Sequence, residues 1–195
     1  AVIQGAETGE GKPGMGCTAT CAYIENDTLA IAHVGDSRAY LLHEGTLIRV
    51  TRDHSYVEEL VDAGEITADE ARVHPNRSVI TRALGSDPAM YADHFTLHIE
   101  EGDRLILCSD GLSSMIPDSD IENIATQSST AQICVDNLVD AALAAGGHDN
   151  VTVVVVDLVD DGVMREAKRV RRRNVTIAAV LALVFVLVAG IWAYT

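Results

Sequence analysis

The chain has 195 residues, 48% of them hydrophobic, with 14 basic and 29 acidic side chains and a formal charge of −15. Eight of the basic residues and 28 of the acidic ones precede Gly162, so the body of the chain stands at −20. That length suits one domain with a real core, and that charge excludes a nucleic-acid-binding surface. Residues 1–14 read as a loop or a helix end, rich in Gly and Glu and without a period. Strand-like runs follow. Residues 17–24 and 28–34 flank the turn Glu25-Asn26-Asp27, and residues 39–42 and 47–51 flank His43-Glu44-Gly45. Runs joined this tightly predict antiparallel hairpins, not a doubly wound parallel sheet.

The pattern then changes. Ser55 offers a helix N-cap, with Glu58 three residues on and Gly64 as a stop, and Thr67-Ala68-Asp69-Glu70 repeats the capping-box pattern. Residues 67–85 are polar, helical in part and rich in Arg and His. Residues 96–99 and 104–108 read as strands around Glu101-Gly102-Asp103. Amphipathic helices are predicted over 118–127 and 131–145. Residues 151–158 are apolar and mostly β-branched, which predicts a central strand. Hairpins with a few helices give an α+β domain, its helices packed on antiparallel sheets. That domain spans residues 1–160.

Residues 161–174 form a basic linker containing Lys168-Arg169-Val170-Arg171-Arg172-Arg173. Residues 175–194 carry no charge and match the ~20 residues that cross a bilayer as a helix. Trp192 and Tyr194 stand at the far end, where aromatic rings favour the interface. Basic residues beside a span stay on the cytoplasmic side. The expectation is a single-pass cell-membrane protein with its body cytoplasmic. Cys17, Cys21, Cys108 and Cys134 lie in apolar stretches with no Cys-x-x-Cys pair, which predicts buried free thiols in a reducing compartment. The seven His residues show no zinc-like spacing.

Three Asp-bearing turns stand at the ends of strand-like runs: Gly35-Asp36-Ser37, Ser109-Asp110-Gly111 and His148-Asp149-Asn150. Each is compatible with ordinary turn chemistry. Carboxylates at the lip of rigid strands also suit Mg²⁺ or Mn²⁺, which prefer oxygen ligands. Two such ions ~3.5–4 Å apart can bridge a water, lower its pKa and aim it at phosphorus.

Context narrows the choice. Gly14-Met15-Gly16-Cys17-Thr18-Ala19-Thr20, then His33-Val34-Gly35-Asp36-Ser37-Arg38-Ala39-Tyr40, then Thr51-Arg52-Asp53-His54-Ser55 resemble the metal-dependent protein phosphatases of PPM type, also called type 2C. So do the block from His74-Pro75-Asn76-Arg77 to Leu84-Gly85, then Leu107-Cys108-Ser109-Asp110-Gly111-Leu112, then Gly147-His148-Asp149-Asn150-Val151-Thr152. The later blocks look most like the bacterial Ser/Thr phosphatases, a branch that includes members with one membrane span after the catalytic domain.

The resemblance implies an αββα sandwich of antiparallel sheets with a binuclear Mn²⁺ or Mg²⁺ centre between them. It implies hydrolysis of phosphoserine and phosphothreonine on proteins by a metal-activated hydroxide. By motif position Asp110 and Asp149 are metal ligands, and Asp36, with Asp110, holds a third and looser metal. Residues 54–85 correspond to the flap beside the active site. Phosphorylated proteins, among them Ser/Thr kinases and their substrates, are the implied partners.

Departures from the family pattern are equally legible. Family members begin with an Arg, acidic residues, an Asp-Gly pair and a His on the first strands, and none is found before Gly14. The chain therefore looks N-terminally truncated, and no residue in it is assigned a catalytic role. Cys17 replaces a more usual Thr and Ser78 a more usual Asn. Arg77 and Arg82 read as packing and hydrogen-bonding residues, Gly14 and Gly16 as backbone-geometry residues. The alternative is a non-catalytic, membrane-tethered binding module derived from the same fold.

Overall fold

Both predicted hairpins form, and they fall in different sheets. The computed structural model describes residues 1–159, so the predicted basic linker and membrane-spanning helix lie outside the described residues. Helix α1 (Val2–Thr8) precedes strands β1 (Ala19–Glu25), β2 (Thr28–Val34), β3 (Arg38–His43) and β4 (Thr46–Arg49). Helices α2 (Tyr56–Asp62) and α3 (Ala68–Val73) follow, then β5 (Asp93–His98) and β6 (Arg104–Cys108). Helices α4 (Asp110–Ser113), α5 (Asp118–Gln127) and α6 (Ala131–Ala144) lead to β7 (Val153–Asp157). One sheet has the order β1-β2-β5, the other β4-β3-β6-β7, and every pairing is antiparallel.

The turn residues explain the hairpins. Asn26 closes the first at φ 54, and Glu44 and Gly45 close the second at φ 48 and φ 80. The chain changes sheet through Gly35-Asp36-Ser37, which sets Asp36 at the end of β2 and the start of β3. It changes sheet again between β5 and β6.

Strand alternation divides the core in two. Leu29 and Ile31 of β2, Ala39 and Leu41 of β3 and Leu105 of β6 pack as one buried cluster between the sheets. Their alternates Tyr40, Leu42, Ile106 and Cys108 face Leu112, Ile116, Ile121 and Leu138 beneath the helices. Arg104 ties this layer down. It pairs with Asp157 at 2.5 Å and donates to the carbonyls of Ala125 and Ser128, which α5 leaves open at its end. Ser55 caps α2 by accepting the Glu58 N–H, and the Thr67–Glu70 capping box of α3 is present in both directions.

Two expectations need correction, the central place of the last strand and the burial of all four cysteines. Strand β7 is apolar but for Asp157, yet among the described residues it is an edge strand, and Val154 and Val156 are exposed. The layers observed are sheet, sheet and helices. The second helical layer of an αββα sandwich is not among the described residues, since α1 buries no residue and no helix makes an extensive contact with the three-stranded sheet. All four cysteines are free, but only Cys108 and Cys134 are buried; Cys17 and Cys21 are exposed. Strand β1 is an edge strand, and Cys21 points away from the sheet's inner face. Among the described residues no helix is long and apolar enough to cross a membrane.

Candidate metal centre

Asp110 and Asp149 come from turns that are stapled together. Ser109 donates its N–H to the Thr152 carbonyl at 3.0 Å and its hydroxyl to the Asn150 carbonyl at 3.1 Å, and its Oγ accepts the Thr152 N–H at 3.1 Å. Gly111 makes this approach possible, because a Cβ there would stand 2.4 Å from the Asn150 carbonyl oxygen. The glycine beside Asp110 thus admits the backbone of the second Asp turn. Asp149 is exposed and accepts the Asn150 N–H at 2.7 Å.

Asp36 arrives from the crossing between the sheets. The turn is held at Gly35, at φ +111, packed so closely on Thr18 that a Cβ would lie 2.3 Å from its methyl carbon. His54 grips the same residue twice: its backbone N–H donates to the Gly35 carbonyl at 2.7 Å and its Nδ1 accepts the Gly35 N–H at 3.0 Å. Nε2 then carries the ring proton and faces Asp93 Oδ2 at 3.0 Å. Asp93 is also paired with Arg82 at 2.6 Å, and Arg82 stacks over the Tyr91 ring. Arg82 is the hydrogen-bonding residue the sequence suggests.

The three carboxylates share one field. Burial and the neighbouring charge of Asp110, with a further share from Asp53, push Asp36 up to about 6. Burial and then Asp149 push Asp110 above the ordinary carboxylate range. Among the described residues no three His, Cys, Asp or Glu side chains converge into a closed metal shell. The donor set still fits a hard divalent cation: the oxygen donors are carboxylates from three turns, and burial and neighbouring charge hold Asp36 and Asp110 raised in a way a cation would relieve.

A cavity of about 310 Å³ opens beside Asp36 and Asp110, with α2 and α3 forming its far wall. Asp149 does not line it. Asp53 does, and sequence reasoning assigned it no role. Arg38 donates to both oxygens of Asp53, from Nε at 3.0 and 3.1 Å and from one terminal nitrogen at 2.8 Å. Arg49 approaches the same carboxylate at 2.7 Å and Glu58 at 3.2 Å. Asp53 is thus a strut that holds two guanidinium groups against the cavity. Its position inside the quoted Thr51-Arg52-Asp53-His54-Ser55 block was the available signal. Arg77 corrects an expectation: it lines the cavity, and its guanidinium has no ion-pair or hydrogen-bond partner among the described residues.

The family described as protein phosphatase 2C matches residues 6–151. The chain is 40% identical over 144 residues to the serine/threonine phosphatase Stp of Listeria welshimeri, covering 74% of this chain and 57% of that protein. It is 45% identical over 150 residues to the serine/threonine protein phosphatase PstP of Mycobacterium tuberculosis, covering 75% of this chain and 28% of that one. The chain therefore spans little more than half of Stp and a smaller share of PstP. The fold superposes on a crystal structure of the PstP catalytic domain in complex with two manganese ions, with a TM-score of 0.73, 38% identity, and coverage of 82% of this chain and 66% of that one. A match over that much of the chain, on a fold with its carboxylates in these turns, assigns it: the chain belongs to the protein phosphatase 2C family.

Proposed function

We propose that the protein is a metal-dependent protein serine/threonine phosphatase, a hydrolase of phosphoserine and phosphothreonine esters on proteins. The observation that carries this reading is the placing of Asp36 and Asp110 on one cavity, with the Asp149 turn stapled to the Asp110 turn, in a protein phosphatase 2C chain. These three residues would hold Mn²⁺ or Mg²⁺, as the relative crystallised with two manganese ions supports. The chemistry such ions supply is activation of water and neutralisation of charge at phosphorus.

The chain's own residues do the rest. Ser109 and Gly111 fix the Asp110 and Asp149 turns against each other. His54 fixes the Asp36 turn from the side of β5. The Asp53 strut keeps Arg38 and Arg49 neutralised, so that neither competes with a cation for Asp36 and Asp110. The cavity beyond them gives a phosphorylated side chain room to approach.

On this reading the partners are phosphorylated proteins, among them Ser/Thr kinases and their substrates. Residues 175–194 would anchor the protein as a single-pass cell-membrane helix, with 161–174 on the cytoplasmic leaflet and the phosphatase domain cytoplasmic. One observation favours the alternative of a non-catalytic tethered module: no closed metal shell forms among the described residues. Phosphate release from a phosphothreonine peptide separates the two. Protein expressed from its full reading frame should turn over with Mn²⁺ and stop with EDTA; absent turnover, or full turnover in Asp110→Asn, overturns the enzyme reading. Protease protection of the domain in sealed inside-out vesicles would sink the cytoplasmic orientation.

A further inference from the structure

Among the described residues, the arginines of this acidic domain are nearly all spoken for. Arg38 and Arg49 pair with Asp53, Arg52 with Asp62, Arg82 with Asp93, and Arg104 with Asp157. The two that are not stand together on the flap wall of the cavity that Asp36 and Asp110 share. Arg77 has no carboxylate within ion-pair distance among the described residues. Arg72, in the last turn of α3, has only Asp69 at 3.8 Å, and that carboxylate is 91% exposed. One terminal nitrogen of Arg72 donates to the Met115 carbonyl at a long 3.4 Å, and its Nε is buried with no partner at all.

A buried guanidinium N–H without an acceptor costs on the order of 1–3 kcal/mol. In a body of charge −20, carboxylates to pair with are abundant, and these two arginines are left without a close one. Both face the space a phosphorylated chain would enter. A planar guanidinium offers paired donors that suit phosphate or carboxylate oxygens.

We propose that Arg72, seconded by Arg77, is a specificity-determining anion subsite that recognises a second phosphate or a carboxylate flanking the target phosphoresidue. The inference rests on the phosphatase reading for what occupies the Asp36–Asp110 side of the cavity. Two arms distinguish the sources of the anion, a second phosphothreonine and a glutamate at the same flanking position. Net preference for acidic-flanked phosphopeptides by so acidic a protein is the unusual property it assigns.

The test uses the full chain with Mn²⁺ and three fluorescent peptides of one sequence, each with a non-hydrolysable phosphonate at the target position. One carries a neutral flanking residue, one a flanking phosphothreonine and one a flanking glutamate. Anisotropy titration should show the doubly anionic peptides binding tighter, the bis-phosphorylated one roughly tenfold. Arg72→Gln should collapse that ratio toward one, Arg72→Lys should retain part of it, and Arg77→Gln should reduce it; each variant's thermal melt confirms folding. Equal affinity of the wild type for all three peptides, no binding of any, or an unchanged ratio in folded Arg72→Gln overturns the subsite. Phosphate release from the matching hydrolysable peptides is scored separately. Preference without release defeats the phosphatase reading and keeps the subsite; release without preference does the reverse.

Discussion

His54 closes a two-point clamp on Gly35, accepting its N–H at Nδ1 and donating its own N–H to the Gly35 carbonyl. The residue clamped is the one before Asp36. Through Nε2 the ring reaches Asp93, and through Asp93 it reaches Arg82. The angle at which Asp36 leaves β2 is therefore set from β5 and the flap. His54→Ala leaves the buried Gly35 N–H without an acceptor and takes one of its two partners from Asp93, and should cost about 2–4 kcal/mol in urea unfolding. His54→Asn, whose side-chain oxygen can still accept, should recover part of that loss. Equal losses in the two variants would remove the clamp from the account.

Asp36 is held at the expense of stability. Its folded-state pKa of about 6 lies above the ordinary 3.8, so the fold binds this proton more tightly than the unfolded chain does. The stabilising share is complete below about pH 4 and is lost as pH rises through about 6. Asp36→Asn should then raise the stability of the metal-free protein at pH 7.5 by roughly 1 kcal/mol, once the shift is discounted for solvent screening. It should also flatten stability between pH 4 and 6 and weaken Mn²⁺ binding. Thermal melts in EDTA across that range read the first two effects. A metal-free variant less stable than wild type at pH 7.5 would contradict the repulsion.

Asp53 carries two arginines at once. Its side chain is 9% exposed, and Arg38 opposite is 15% exposed. Asp53→Asn should destabilise by about 3 kcal/mol, because two largely desolvated guanidinium groups lose their shared anion. Restoration by the double variant Asp53→Asn with Arg38→Met would show the loss to be that uncompensated charge. Denaturant midpoints for the single and double variants check it.

Gly111 is a spacing device. An alanine there meets the Asn150 carbonyl oxygen at 2.4 Å, so the turns bearing Asp110 and Asp149 must separate. Gly111→Ala should weaken Mn²⁺ affinity at least tenfold, about 1.4 kcal/mol, while the helices beneath stay folded by far-UV circular dichroism. Affinity equal to wild type would show that the two turns need not touch.

Local signals carried far in this chain. The turns at Asn26 and Glu44, the Ser55 cap and the Thr67–Glu70 box are each decided within a few residues, and each appears where the sequence puts it. Strand pairing across distance was not legible. Nothing near β7 says that its partner among the described residues is β6 alone, so its apolar faces read as central. Alternation on β1 was masked by small residues, which is why Cys21 read as buried, and Cys17 lies ahead of that strand. At the candidate site, Asp36, Asp110 and Asp149 were proposed from strand-end turns and motif order. Their coupling was not, since it depends on the Ser109 staple and the sheet crossing at Gly35. Asp53 and Arg72 take their meaning from partners in space: one has two arginines, the other lacks a close carboxylate.

The central claim is that Asp110 is the shared ligand of a Mn²⁺ or Mg²⁺ centre. Electron paramagnetic resonance of free Mn²⁺, titrated with protein expressed from its full reading frame, tests it most directly. Wild type and Asp140→Asn, a change on the exposed face of α6, should bind Mn²⁺ saturably and alike. Asp110→Asn should lose at least tenfold in affinity, with smaller losses in Asp149→Asn and Asp36→Asn. Undiminished Mn²⁺ binding by Asp110→Asn would contradict the account.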